Sequence, residues 1–132
     1  MNGLLDQAIG LHRNGRLTEA GVLYARVLES EPRNFTALHL LGLACHGQGR
    51  CDESLVLIDR ALAVDPVSAD ALANRGVVLE ALGHTAEALE SYDRALAIAP
   101  SADTWNRRGN ARLDLKRNEE ALASYDTSVA AE

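Results

Sequence analysis

Histidine and glutamate side chains that could bind a metal recur in this sequence at a fixed interval. His12, His46 and Glu80 follow one another at equal spacing, which could place them along one face of a regular structure. Zinc requires ligand distances of about 2 Å, whereas neighbouring helices pack about 8–10 Å apart. We therefore predict surface or groove-lining side chains at these positions, and neither a metal site nor a cofactor.

The sequence contains no recognisable set of catalytic residues. Cys45 and Cys51 are too few and too widely spaced for a disulfide framework or a CxxC motif. They are predicted to pack as small apolar residues, with a redox role as the alternative. The segment 47–50 (GQGR) lacks the preceding strand, the third glycine and the lysine of phosphate-binding loops. The sequence also contains no nucleophile elbow and no HExxH motif, and it predicts a protein that is not an enzyme.

The composition favours one all-α domain. Hydrophobic residues make up 47% of the 132 positions and aromatic residues only 4%, which suits close packing of helices better than strands. The net charge of −6 argues against a nucleic-acid-binding protein, whose surface would be basic. A local excess of basic residues between positions 103 and 117 could bind an acidic partner or RNA, but it is interpreted as a solvated helix face. No secretory signal or membrane-spanning run is recognisable, which predicts a cytoplasmic protein that does not enter a membrane.

The prolines reveal an internal repeat. Pro32, Pro66 and Pro100 are evenly spaced along the sequence and are the only prolines in the chain. The segment 59–66 (DRALAVDP) returns as 93–100 (DRALAIAP). These matches divide the single domain 1–132 into repeats of about 1–34, 35–68, 69–101 and 102–132, with one residue missing before the last.

Equivalent positions of the four repeats, numbered as columns from the start of each repeat, hold residues of similar size. Column 4 is large and apolar, column 8 is small, column 20 is small and column 24 is bulky. In that order the columns hold Leu4, Leu38, Leu72 and Trp105; Ala8, Gly42, Gly76 and Gly109; Ala20, Ser54, Ala88 and Ala121; Tyr24, Ile58, Tyr92 and Tyr125. Gly15, Gly49 and Gly83 split the first three repeats into two helical stretches each, because glycine allows the left-handed turn that ends a helix.

This pattern resembles the tetratricopeptide repeat family, whose 34-residue motif contains Trp, Leu-Gly, Tyr, Ala, Phe and Pro at characteristic positions. The resemblance implies a right-handed superhelical solenoid of about eight antiparallel helices. It also implies that Trp105 and the three tyrosines are core residues rather than ligand-stacking aromatics. The function implied is a protein–protein interaction scaffold that binds another protein or a peptide in its concave groove.

The first helix of each repeat lines that groove in the family, at columns 2, 5, 6, 9, 12 and 13. The corresponding residues are apolar in the N-terminal half and polar with cationic character in the C-terminal half. They are Leu5, Ile9, His12, His39, Leu40, Leu43, His46, Asn74, Val77, Glu80, Asn106, Arg107 and Asn110.

Two specialised versions of the groove fit this sequence incompletely. Asn74 and Arg107 match positions that clamp the C-terminal carboxylate of heat-shock chaperones in some relatives, but His39, Leu43 and Asp103 stand where Lys, Asn and Lys would be required. Binding of a chaperone tail is therefore not expected. The segment 34–50 (NFTALHLLGLACHGQGR) resembles repeat regions that precede the catalytic domain of some bacterial glycosyltransferases, although only Asn74 fits their asparagine ladder.

The last repeat departs from the pattern. Lys116 replaces the turn glycine, Arg112 replaces an apolar residue, and no proline closes the repeat. Terminal repeats usually need a polar outer face. We therefore expect either that the chain is part of a longer protein or that it associates with itself through this end. Two alternatives to the scaffold function follow, namely a substrate-recruiting segment of a larger enzyme and a self-assembly module.

Overall fold

The computed structural model describes the backbone of residues 2–131 and the side chains of residues 3–123, and the regular secondary structure of the described backbone consists of helices joined by short turns. Helices that follow one another in the chain pack together, α3 also contacts α5, and α5 contacts α7. The chain is thus an all-α helical repeat solenoid, as predicted. Its helices are α1 (Asn2–Arg13), α2 (Leu17–Ser30), α3 (Phe35–Gly47), α4 (Cys51–Val64), α5 (Ala69–Ala81), α6 (Thr85–Ile98) and α7 (Ala102–Ala131).

Glycine turns separate the two helices of the first three repeats. Gly15, Gly49 and Gly83 have φ angles of 78°, 78° and 83°, in the left-handed region that side chains disfavour. The polypeptide reverses direction there, and the amide of the residue after each glycine bonds back to the end of the first helix. The N–H of Arg50, for example, donates to the carbonyl oxygen of Cys45 at 2.8 Å.

The fourth repeat has no such turn, so the described residues form seven helices rather than about eight. Lys116 occupies the column of the turn glycines, and α7 runs through it without interruption for 30 residues. A residue with a side chain loses about 1–2 kcal/mol in the left-handed conformation. The helix therefore continues where the first three repeats turn back.

Polar side chains begin the first helices of the second and third repeats. Asn34 Oδ1 accepts a hydrogen bond from the N–H of Ala37 at 2.9 Å, and Ser68 Oγ accepts one from the N–H of Ala71 at 3.2 Å. Each bond satisfies a backbone donor that the first turn of a helix leaves without a partner. These caps fix where α3 and α5 begin, and with them the register of the groove-facing residues.

The core runs within and between the repeats, and between the two helices of the second and third repeats small residues meet bulky ones. A Cβ atom added at Gly42 would lie 2.8 Å from Cγ1 of Ile58, and one added at Gly76 would lie 2.7 Å from Cδ1 of Tyr92. Both pairs join column 8 to column 24 of the same repeat, and Tyr92 and Ile58 are completely buried. Column 8 must therefore stay small so that the column 24 side chain can pack against the helix backbone.

The predicted core position is confirmed for two aromatic residues and is wrong for a third. Tyr24 and Tyr92 are completely buried, whereas Trp105 is 53% exposed. Since α7 does not turn back, no second helix formed by the described residues covers Trp105, and the guanidinium of Arg108 lies 5.7 Å from its ring centroid. Tyr125 lies outside the residues whose side chains are described.

Cys45 is buried, as predicted for a small apolar residue, and Cys51 is half-buried. Burial raises the pKa of the Cys45 thiol, with Arg50 acting in the opposite direction. A thiol with a raised pKa is a weak nucleophile at neutral pH. This environment favours the packing interpretation of Cys45 over the redox alternative.

Candidate functional site

A pocket of about 530 Å³ lies among the first helices of the last three repeats. Four of the predicted groove residues meet there, namely one histidine and one leucine from α3, one asparagine from α5 and one arginine from α7. The lining consists of His39, Leu43, Ala69, Asp70, Ala73, Asn74, Ala99, Pro100, Ser101, Asp103, Thr104 and Arg107.

A histidine and an asparagine from neighbouring repeats are hydrogen-bonded on one wall of the pocket. His39 Nε2 lies 3.0 Å from Asn74 Nδ2, and His39 is only 9% exposed. An amide nitrogen can only donate, so Nε2 accepts and the ring is neutral with its proton on Nδ1. Burial lowers the pKa of His39, while the Asp70 carboxylate acts in the opposite direction. Among the described residues, no protein partner is found for the side-chain carbonyl oxygen and the second N–H of Asn74, so both can bond to a ligand.

An ion pair on α7 forms the opposite wall. Arg107 Nε donates to Asp103 Oδ2 at 3.0 Å, and both side chains remain largely exposed. Within the described part of the chain, the two terminal nitrogens of Arg107 have no protein partner, so they can donate to a ligand. The pocket therefore offers donors from Arg107 and Asn74 and acceptors from Asn74, Asp70 and Asp103, next to the apolar surface of Leu43.

The neutral state of His39 gives a pH dependence with a defined sign. A histidine whose pKa is lowered on folding binds more protons in the unfolded chain, so the free energy of unfolding falls as the pH drops through 6.5. We expect the protein to be less stable at pH 5.5 than at pH 7.5 in urea unfolding. His39→Gln, which can still bond to Asn74, should show a smaller difference between the two pH values. An unchanged difference would contradict the assignment, since His12 would then account for all of it.

Two of the predicted groove residues also hold the helices of their own repeat together. His12 Nδ1 lies 2.9 Å from the hydroxyl oxygen of Tyr24, and the hydroxyl of Tyr92 donates to Glu80 Oε1. Burial lowers the pKa of His12 and raises that of Tyr24. Column 12 is thus linked to column 24 in the first and third repeats. In the second repeat, column 24 holds Ile58, which has no hydrogen-bonding side chain. The column 12 residue of that repeat, His46, is half-buried.

The other predicted groove residues do not join the pocket. Leu5, Ile9 and Leu40 are half-buried and pack against the core of the first repeat. Val77 packs against the core between the third and fourth repeats. The remaining two, Asn106 and Asn110, are exposed on α7.

The sequence interpretation missed several residues that line the pocket, of which Thr104 is the most informative. Thr104 is only 6% exposed, and it occupies the column that holds Ala37 and Ala71 in the two preceding repeats. A polar residue in a buried alanine column is a signal that comparison of the repeats could have found. Asp70 carried no such signal, because exposed acidic residues are common on helix surfaces.

A second pocket of about 580 Å³ lies between α2 and α4 and is largely apolar. Ion pairs bridge the equivalent positions between later repeats, where Arg75 Nε lies 2.7 Å from Asp59 Oδ1 and Arg108 pairs with Asp93. Between the first two repeats the corresponding residues are Leu41 and Ala25. The missing bridge contributes to the apolar character of this pocket. Its polar lining residues, Thr18, Gln48, Arg50 and Glu53, are hydrogen-bonded to one another.

Two further observations concern the described residues only. They include no group of three or more His, Cys, Asp or Glu residues arranged to hold a metal ion. None of the helices they form is long and apolar enough to cross a membrane.

Comparison with known families gives matches along almost the whole chain. Profiles described as tetratricopeptide repeat match residues 5–57, 47–103 and 102–132. No curated protein matches the sequence.

Solved structures share the fold. The first such domain of Spaghetti (RPAP3), bound to the HSP90 peptide SRMEEVD, is 20% identical with a TM-score of 0.83, covering 86% of this chain and 90% of that chain. The Sgt2 domain from Aspergillus fumigatus is 16% identical with a TM-score of 0.85, covering 90% and 81%. A mutant O-GlcNAc transferase from Thermobaculum terrenum is 35% identical with a TM-score of 0.73, covering 76% of this chain and only 19% of that chain.

Proposed function

We propose a peptide-binding function for this chain, which belongs to the tetratricopeptide repeat family and is thereby a protein-interaction module. The proposed site is the pocket between α3, α5 and α7. The observation that carries the proposal is that His39, Leu43, Asn74 and Arg107, which come from three repeats, meet in one cavity of about 530 Å³. Pockets of roughly 300–1,000 Å³ with a few convergent polar groups are typical ligand sites.

The chemistry of the pocket favours an extended segment of another protein. An extended backbone presents alternating N–H and C=O groups, and Asn74 and Arg107 offer both an acceptor and donors to them. A small apolar side chain of the segment would lie against Leu43 and Ala73. A carboxylate of the partner can reach Arg107 only by sharing it with Asp103, which lies 3.0 Å away.

These features separate the proposed ligand from a chaperone tail. The structurally similar domain of Spaghetti (RPAP3) binds an HSP90 peptide, which supports a peptide as the kind of ligand. In this chain His39, Leu43 and Asp103 replace the Lys, Asn and Lys residues that a carboxylate clamp requires. We therefore propose a non-catalytic scaffold, located in the cytoplasm, that binds an internal segment of its partner.

Replacing Asn74 and Arg107 with alanine tests the proposed site. The double variant should retain little of the partner that wild type recovers from source lysate, and the loss should be about tenfold or more in Kd once the partner is purified. Its free energy of unfolding should fall by about 1 kcal/mol, because the partly buried His39 loses its hydrogen-bond partner. Binding is therefore compared well below the melting temperature.

The matched control is Gln7→Ala with Arg94→Ala, which also removes one amide and one guanidinium but at exposed positions outside the pocket. It should bind as wild type does. Equal recovery of the same partner by wild type and by the Asn74/Arg107 variant would show that the pocket is not the binding site.

A second candidate function is the recruitment of substrates to an attached enzyme. It is favoured by the 35% identity to the Thermobaculum terrenum O-GlcNAc transferase, although the match covers only 19% of that protein. The coding sequence downstream of Glu132 tests it directly. A catalytic domain in the same reading frame would support recruitment, whereas a stop codon directly after Glu132 would contradict it.

A further inference from the structure

The first half of α7 leaves an apolar stripe uncovered. Trp105 is 53% exposed, Leu113 is 48% exposed, and a Cβ atom added at Gly109 would meet no atom within 4 Å. The three residues are spaced by four, so they lie on one side of the helix. We call Trp105, Gly109 and Leu113 the α7 stripe.

The second helix of the repeat covers the equivalent side in the preceding repeats. Leu38 and Leu72, which share the column of Trp105, are 1% and 0% exposed. Gly42 and Gly76, in the column of Gly109, contact the bulky column 24 residues of the helix that follows. Covering this side of the first helix is thus a regular feature of the repeat.

The second half of α7 carries the sequence of such a covering helix but cannot cover its own first half. Ala121 occupies the column of Ala20 and Ala88, which are completely buried. Tyr125 occupies column 24, and in the second and third repeats the column 24 residue packs against column 8. In a continuous helix, columns 8 and 24 are separated by about 24 Å along the axis. The covering helix for the α7 stripe must therefore come from elsewhere.

The charges of α7 indicate where it comes from. Residues 102–117 contain five basic and two acidic side chains, whereas residues 118–132 contain four acidic and no basic ones. Antiparallel pairing of two α7 helices places the basic half of each beside the acidic half of the other. Parallel pairing would place like charges together, which costs energy.

We propose that two copies of this chain form a closed dimer about a two-fold axis, in which residues 118–131 of each copy cover the α7 stripe of the other. In this dimer the contact between the two halves of the last repeat, which a single chain cannot make, forms between the two copies instead. This is a form of domain swapping. At about 100° per residue, Asp103 and Arg107 lie on roughly the opposite side of α7 from the stripe. The dimer thus leaves the proposed peptide site open and does not depend on it.

Gly109→Leu tests the dimer without disturbing the single chain, because a Cβ atom at that position meets none of the described side chains and no neighbouring helix within 4 Å. Sedimentation equilibrium over a concentration series should give wild type twice the 14.2 kDa mass of the chain. Gly109→Leu should keep the mass of a single chain, since a leucine side chain blocks the approach of the second helix. Gly10→Leu, at an exposed helical glycine with equally open surroundings, should dimerise as wild type does.

Trp105 supplies an independent readout because it is the only tryptophan in the chain. Its fluorescence emission should shift to shorter wavelength as the concentration of wild type rises, and should not shift in Gly109→Leu. Lys116→Gly supplies the missing turn residue, so it should give a monomer in which Trp105 is covered at every concentration.

Three outcomes would overturn the proposal. Wild type could keep the mass of a single chain at the highest concentration tested, or Gly109→Leu could dimerise as strongly as wild type. A mass that grows beyond two copies with concentration would indicate open head-to-tail stacking instead of a closed exchange.

Discussion

Gly76→Leu is expected to unfold the stack. A Cβ atom at this position would lie 2.7 Å from Cδ1 of Tyr92, which is completely buried and whose hydroxyl is held by Glu80. The ring therefore cannot move aside, and α5 and α6 must separate to admit the new side chain. Overpacking usually costs about 1–3 kcal/mol, and a full leucine side chain wedged against the ring should exceed that range.

Circular dichroism at 222 nm and thermal melting measure this result. Gly76→Leu should lose most of its helical signal at 25 °C, because each repeat is stable only through its neighbours. Gly10→Leu makes the same substitution at an exposed helical position where a Cβ atom meets nothing within 4 Å among the described residues, and it should melt near wild type. A Gly76→Leu protein that kept the wild-type melting temperature would contradict the packing described for columns 8 and 24.

Tyr92→Ala is expected to have the second largest effect. Removing a buried aromatic side chain costs about 3–5 kcal/mol through lost burial and the cavity left behind. Tyr92 also joins α6 to α5 through its hydrogen bond to Glu80, and burial together with this bond raises its pKa, so the hydroxyl stays protonated and donating at neutral pH. Urea unfolding of the variant should show this loss.

Tyr92→Phe separates the two contributions because it keeps the ring and removes only the hydroxyl. It should cost about 1.5–3 kcal/mol, the range expected for one hydrogen bond to a charged group. If Phe and Ala substitutions destabilised the protein equally, the hydrogen bond rather than ring packing would hold α5 to α6.

The repeat architecture could be predicted because its signals are local. Glycine at positions 15, 49 and 83 permits the positive φ that a turn needs, and the prolines mark the period. The break in the pattern at Lys116 was also visible. The uninterrupted helix that results could not be predicted, because the sequence pattern of the last repeat still indicates a second helix folded back on the first. The same pattern predicts a core position for Trp105, which the structure shows to be exposed.

The candidate site was only partly predictable, since it depends on distances between repeats. Family columns select residues on the first helices, but they cannot show that His39 bonds to Asn74 or that Asp103 pairs with Arg107. His12 and Glu80 were assigned to the groove alone. Their bonds to Tyr24 and Tyr92 on the following helices require knowing how the two helices of a repeat face each other.

Site-specific photo-crosslinking tests the central claim most directly, because it distinguishes the α3–α5–α7 pocket from the apolar pocket between α2 and α4. A photoreactive amino acid is introduced in place of Leu43, in the α3–α5–α7 pocket, or in place of Val56, in the apolar pocket between α2 and α4. We predict that the partner is crosslinked from position 43 and not from position 56, and that Asn74→Ala with Arg107→Ala removes the crosslink. Crosslinking from position 56 alone would place the partner on the opposite helices and contradict the proposed function.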